Sequence, residues 1–241
     1  MESVEFPSLD DQERFWQTWQ ATKSITDWSR RRAEVLLHWL RSLRLPNPDI
    51  LDIGCGNGWF TERLAQLGRA TGVDLNRKAM EEAQARTNAA TFIGGDLFEL
   101  PLVRESYDIV VAQQVIAHVM DQARFMERVA DLIKPAGLLL LTTPNAYIMA
   151  RLGDVGWEPN GPAHIEQWLD RKSLFRLLEP RFTILRFTSI LPMGRRGLLR
   201  VINSRKLNRA LGALIGSNRL EALKERAGFG YTLIVLARKR L

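Results

Sequence analysis

Cysteine is almost absent. Cys55 is the only one in 241 residues, so no intrachain disulfide can form. No apolar stretch approaches the roughly 20 residues that span a bilayer. The opening "MESVEFPSLDDQERFW" has no basic region followed by an apolar core, so no secretory signal is expected there and a cytoplasmic location follows as the expectation. Internal repeats and low-complexity tracts are missing as well. What is present is a 46% hydrophobic content, enough to fill a core, in a length that suits one large domain or one domain with an addition. The formal net charge is +7, and it is concentrated. Between Met193 and Gly228 nine Lys or Arg stand against two Glu, while the remaining 25 basic and 25 acidic residues cancel.

Periodicity along the chain alternates between strand and helix. Apolar positions in "ERFWQTW" and "SRRRAEVLLHWLRSL" predict helices within residues 11 to 44, stopped by Pro46 and Pro48. Short strands are expected at 49–53, at 70–75, within "ATFIGGDL" ending near Gly94, at 107–115 and from Gly137 to Asn145. Helices are expected at Trp59–Leu67, 77–86 and Asp121–Lys134. Such an order predicts an α/β fold, a parallel sheet with helices on both faces. After it come a long Gly- and Pro-containing loop, a helix in "DRKSLFRLLEP", a strand in "RFTILRFTSI", two short helices in the basic segment and a final strand "YTLIVLARK". The domain reading is a helical cap over 1–45 and a main domain over 46–241, with a basic helical insertion at about 193–228.

In "DILDIGCGNGWF" a strand runs into three glycines and then a helix. Gly54 allows a sharp turn, Gly56 allows close approach of a ligand to the backbone, and Gly58 leaves a helix start open where N–H groups are unpaired. Asp74 follows Gly54 by twenty residues, at the end of the second strand, where a carboxylate can accept two ribose hydroxyls. No GK[ST] follows the glycines, which excludes a P-loop. The loop alone does not separate a dinucleotide from another nucleoside.

Five ordered segments, "LDIGCGNGWFTERLAQLG", "ATGVDLN", "ATFIGGDLFELPL", "YDIVVAQQVIAHV" and "FMERVADLIKPAGLLLLTTPN", resemble the successive motifs of class I S-adenosylmethionine-dependent methyltransferases. The nearest subgroup holds the ubiquinone-biosynthesis O-methyltransferases and small-molecule or sugar methyltransferases. The resemblance spans roughly residues 30 to 190 and the last strand. It implies a Rossmann-like, mostly parallel seven-stranded sheet with an antiparallel last strand. The implied cofactor is S-adenosyl-L-methionine, with S-adenosyl-L-homocysteine as product. By the same resemblance Asp52 and the loop of Gly54, Cys55, Gly56 and Gly58 line its amino-acid and ribose parts. Asp74 holds the ribose diol, Leu75 lies against adenine, Asp96 accepts from the adenine amino group beside Leu97, and Gln113 borders the methionine part. Trp19, with Trp28 as a second choice, is the expected aromatic lid. Plain structural roles compete with these: Asp96 as a helix cap, Asp52 as a satisfied buried carboxylate, and Cys55 as packing without a partner base.

Methyl transfer to a hydroxyl needs a proton acceptor. His164, in the loop expected over the substrate side, and His118, after the fourth strand, are the candidate bases. His38 is expected to be structural, and no cluster with metal-ligand spacing stands out. Tyr147, Trp157 and Trp168 are candidates to shape the acceptor pocket. The fourth strand's "VVAQQV" departs from the pattern of enzymes that methylate exocyclic amines of DNA bases. The expected reaction is O-methylation of a small molecule (a quinone precursor, a sugar or another metabolite), free, lipid-linked or carrier-bound. N-methylation of an amine, a non-catalytic adenosylmethionine-binding role and a membrane-associated interaction role are the alternatives. In the basic segment, leucines interleaved with arginines suit peripheral contact with anionic membrane, docking of a phosphorylated or carrier-bound substrate, or an ordinary helical insertion that pairs subunits or solvates the surface, the chain being a monomer or a homodimer. Without interleaved aromatics, nucleic acid is not the expected partner.

Overall fold

Neighbouring residues of a strand point to opposite faces of its sheet, and here both faces are apolar, so one sheet carries two cores. The computed structural model describes residues 7–21, 25–152 and 165–241. The chain runs α1 (Leu9–Ala21), α2 (Asp27–Leu43), β1 (Asp49–Ile53), α3 (Thr61–Leu64), β2 (Arg69–Asp74), α4 (Arg77–Arg86) and β3 (Thr91–Gly94). It continues with β4 (Tyr107–Gln113), a 3-10 turn (Ile116–His118), α5 (Gln122–Leu132), β5 (Ile133–Pro144), α6 (Ala146–Met149) and α7 (Arg171–Leu178). The last elements are β6 (Phe182–Pro192), α8 (Leu198–Ile202), α9 (Arg205–Ile215), α10 (Ser217–Arg226) and β7 (Gly230–Lys239).

The seven strands lie in the order β3-β2-β1-β4-β5-β7-β6. Pairs from β3 to β5 are parallel, and β7 runs antiparallel to both β5 and β6. This is the mostly parallel sheet with an antiparallel last strand that the sequence led us to expect. On one face Leu51, Val110, Leu139 and Val235 pack under Phe125 and Val129 of α5 and Leu174 and Leu178 of α7. On the other, Ile50, Val111, Leu140 and Leu236 meet Leu36 and Leu40 of α2, Leu64 of α3 and Met80 of α4. The order reverses between β1 and β4, and ligands in such sheets gather at the carboxyl ends beside that point. Side-chain caps from Thr26, Asn76, Asp121 and Asp170 start α2, α4, α5 and α7.

Several boundaries depart from the expected ones for local reasons. The helix expected over Trp59–Leu67 is a single turn, because Gly58 has φ 76° and the chain is still turning through Trp59. The fourth strand stops at Gln113, since Gln114 adopts φ 61°. The helix expected to reach Lys134 ends at Leu132, for Pro135 disfavours helical geometry in the residue before it. Ile133 already pairs with Tyr107, and the chain bulges through Ala136 (φ 59°) before Leu138 pairs with Ile109. The basic segment holds three helices rather than two.

Truncation at Leu36 and at Leu214 should separate core from surface. Leu36 is fully buried against the sheet, whereas Leu214 is 80% exposed. In urea unfolding, Leu36→Ala is expected to cost about 2–5 kcal/mol and Leu214→Ala no more than about 0.5 kcal/mol.

Candidate active site

At the carboxyl end of β1 the chain bends toward β2. The N–H groups of Gly54 and Cys55 donate to the Val73 carbonyl at 2.8 and 3.2 Å. Gly54 sits at φ 68°, and a Cβ there would lie 2.1 Å from Val115 Cγ2. Gly58 (φ 76°) is equally restricted, with Phe92 Cε1 at 2.5 Å from the position of a Cβ. The loop thus requires glycine for both conformation and space. Asp74 closes it: one carboxylate oxygen accepts the Gly56 N–H at 2.8 Å and the other accepts the Asn76 N–H at 2.9 Å.

Asp52 lies beneath, almost without exposure. Its Oδ2 accepts the Thr61 hydroxyl at 2.7 Å, while Oδ1 has no hydrogen-bond partner among the described residues. Burial pushes its carboxyl up to about 7, the Thr61 bond opposes the rise and nearby Asp74 adds to it. A buried acid with one orphaned oxygen suits a ligand that brings a cation or a donor. Cys55 does not serve as a nucleophile here. Burial, with the two aspartates, holds its thiol well above the ordinary value, and its sulfur packs against Met80 Sδ at 3.5 Å.

Across the crevice, Gln113 ends β4 and its Oε1 accepts Arg32 Nε at 3.0 Å. Burial pulls the Arg32 guanidinium down to about 10, and among the described residues no carboxylate pairs with it. Tyr231, at the start of β7, lies in the same electrostatic neighbourhood with Glu166. Burial, then Glu166, raise its phenol, and Arg32 opposes them. The left-handed Gln114 is pinned to β5 through its N–H to the Thr142 carbonyl and its Nε2 to Thr142 Oγ1, both at 2.9 Å. His118 follows in the 3-10 turn. Its Nδ1 donates to the Ile165 carbonyl at 2.8 Å and its ring meets Trp16 edge-on at 4.9 Å. Burial lowers its pKa.

On the far rim, the Gly95 N–H to the Asp74 carbonyl (2.9 Å) brings Asp96 beside the end of β2. Asp96 Oδ1 accepts the Phe98 N–H at 3.1 Å, so it does cap the following turn. Leu75 and Leu97 are half-buried on either side. Trp28 is about half exposed and leans on Tyr231 at 5.3 Å. His164, Trp157 and the side chain of Trp19 lie outside the described residues. Tyr147 and Phe229 line a separate cavity of about 590 Å³ beside α7, which none of the glycine-loop residues, Asp74 or Gln113 borders. Among the described residues no group of three His, Cys, Asp or Glu is placed to hold a metal ion.

Sequence reasoning passed over Arg32, Glu166 and Tyr231. For Arg32 a signal existed: it stands four residues before Leu36 and eight before Leu40, a cation on the buried stripe of α2. Tyr231 and Glu166 have no such signature, because only the tertiary fold brings their two segments together.

Comparison with known proteins bears on the family and the fold. Residues 51–141 match the family described as "Methyltransferase domain". A ubiquinone biosynthesis O-methyltransferase of Methylobacterium nodulans is 30% identical over 184 residues, 68% of this chain and 74% of that protein. A probable S-adenosylmethionine-dependent methyltransferase of Mycolicibacterium smegmatis is 34% identical over 150 residues, 62% of this chain and 56% of that one. The chain spans about half the length of the mycobacterial relatives it matches, 56% of that protein and 43% of one from Mycobacterium tuberculosis. Among solved structures, the N-methyltransferase NodS of Bradyrhizobium japonicum, in complex with S-adenosyl-L-homocysteine, superposes with a TM-score of 0.65 over 95% of this chain and 99% of its own. At 16% identity that likeness concerns the fold alone.

The Asp52 proton gives a measurable signature. The unfolded chain releases it near 3.8 and the folded chain near 7. Between these values the folded state holds the extra proton, so raising the pH destabilises it. The stability of Asp52→Asn minus that of the wild type should therefore climb between about pH 4 and 7, by up to roughly 1.4 kcal/mol per pH unit, and level off above. Urea titrations over this range check it, and a difference that stays constant with pH contradicts it.

Proposed function

Because the chain belongs to the class I S-adenosylmethionine-dependent methyltransferases, we propose that it transfers the cofactor's methyl group to a hydroxyl oxygen of a small molecule. The observation that carries this reading is Asp74, fixed by two backbone N–H groups beside the glycine loop and able to accept a ribose diol. The remaining polar groups fit the rest of that ligand by charge. The orphaned Asp52 oxygen suits the amino-acid ammonium, directly or through water, and the unpaired Arg32 guanidinium, oriented by Gln113, suits its carboxylate. Asp96 would accept from the adenine amino group, with Leu75 and Leu97 flanking the ring and Trp19 as the lid. A hydroxyl acceptor is favoured by the relatives named as O-methyltransferases.

When bound, S-adenosylmethionine supplies an electrophilic methyl carbon on a positively charged sulfur. The chain contributes position and a place for a proton. The crevice walls align the acceptor oxygen in line with the methyl carbon, which can account for much of the acceleration. Bound there, the sulfonium would supply the methyl group to the acceptor oxygen and depart as a neutral thioether, and this chain's part would be to take up the hydroxyl proton on a base. With Nδ1–H given to the Ile165 carbonyl, His118 keeps Nε2 as its lone-pair nitrogen, and burial holds it neutral near pH 7. His164, close along the chain to Ile165, is the second candidate.

Calorimetric titration with S-adenosylmethionine and S-adenosylhomocysteine is the primary test. Asp74→Ala should weaken both by about a hundredfold or more, as two hydrogen bonds to a charged group are lost. No binding by the wild type ends the assignment. Arg32→Met should weaken S-adenosylmethionine by about tenfold or more yet leave methylthioadenosine, which lacks the amino-acid carboxylate, bound as before. Of His118→Gln and His164→Gln, the variant that removes the base should lower turnover by about 10²–10⁴ with cofactor affinity unchanged. Full turnover in both removes histidine from the proton transfer.

A further inference from the structure

The basic segment between β6 and β7 is anchored at both ends and bare in the middle. Leu199 of α8 is fully buried against Ile148, Met149 and Leu152. Leu220 and Lys224 of α10 are buried, and Ser189 of β6 donates its hydroxyl to the Glu225 carbonyl while accepting the Gly230 N–H. Between these anchors α9 has no buried residue. Yet Leu207, Leu211 and Leu214 recur at i, i+4 and i+7, the spacing of a buried stripe, and Leu214 is 80% exposed. Leu198, Val201 and Leu223 on the neighbouring helices are each more than half exposed.

Charge selects the occupant. From Met193 to Leu220 there are seven Lys or Arg and no Asp or Glu. Arg200, Arg205, Lys206 and Arg209 are exposed, and among the described residues none pairs with a carboxylate. Exposed leucines ringed by unpaired cations match a surface that is apolar below and anionic at its face. The segment contains no Trp, Tyr or Phe on which nucleic-acid bases could stack. Seven like charges without an acid oppose self-association of this face with a second copy. Among the described residues no helix is long and apolar enough to cross a bilayer, so contact would be from one side.

We propose that α8–α10 form a docking face for an anionic lipid bilayer, with Leu207 and Leu214 entering the headgroup boundary and the arginines of α8 and α9 meeting lipid phosphates. Such contact does not depend on methyl transfer, and its test needs no turnover. The full chain is sedimented with vesicles of phosphatidylcholine alone and with vesicles in which roughly a third of the lipid is phosphatidylglycerol. Partitioning onto the anionic vesicles should be about tenfold or more stronger and should fall as NaCl rises from about 0.1 to about 0.5 M. The triple variant Arg205→Glu, Lys206→Glu, Arg209→Glu should return it to the phosphatidylcholine level. Leu207→Ser with Leu214→Ser should lower it severalfold. Both variants should keep wild-type affinity for S-adenosylhomocysteine and wild-type circular dichroism, showing that the fold is intact. Equal partitioning onto both vesicles overturns the proposal. So does undiminished binding by folded variants, or a wild-type dimer that the leucine variant splits while vesicle binding is absent. Retention on single-stranded RNA without retention on anionic vesicles assigns the face to another partner and overturns it too.

Discussion

The bond from Gly56 N–H to the Asp74 carboxylate ties the turn after β1 to the end of β2. It forms only because the parallel register sets Ile53 beside Val73, so that the residues just beyond each meet at one height. Since side chains alternate along a strand, a slip of one residue would turn Asp74 to the other side of the sheet and leave the loop without its acceptor. Val73 contributes the second tie, its carbonyl taking two loop N–H groups, and Gly95 repeats the device one strand further out by donating to the Asp74 carbonyl. The crevice is therefore a property of strand register, carried outward from the switch point by three successive strand ends.

Around that frame the fold tolerates electrostatic discomfort. A half-satisfied Asp52 carboxyl and an Arg32 guanidinium without a carboxylate partner are both costly to enclose, and among the described residues Thr61 and Gln113 relieve them only in part. A zwitterionic ligand would satisfy both at once, so that part of what folding leaves unsettled is recovered on binding. Sites held in this state are preorganised, and their stability is lower than the same fold could reach with apolar residues there.

Most of the architecture was legible from periodicity. The strands and helices up to β5 and the two-faced packing follow from alternating apolar runs and the residues that punctuate them, while the antiparallel final strand was implied by the family resemblance. Two of the misread boundaries have one cause: Gln114 and Ala136 adopt positive φ without being glycine, a local conformation that composition does not reveal. In the crevice, the placement of Asp52, Asp74 and the glycines was legible, since it depends on sequence spacing next to a strand. The Cys55 sulfur lies against Met80, as a packing side chain would. Asp96 does cap a turn, which leaves its second oxygen to any ligand role. Tyr231 and Glu166 were not legible, because β7 and the segment before α7 reach the crevice only through the crossing of β5, β7 and β6. Arg32 was legible in principle, as a cation on an apolar stripe.

The joint between β6 and β7 opens at the same end of the sheet as the glycine loop, and its base is stapled by Ser189 and by Asn145, whose amide donates to the Gly228 and Gly230 carbonyls. Between the anchors at Leu199 and Leu220, α9 buries no residue, so its surface can change character without disturbing the strands. The scaffold thus behaves like a tool handle with an exchangeable head: descendants could acquire new habitats by rewriting the exposed residues of one short helix, while inheriting the glycine crevice unaltered.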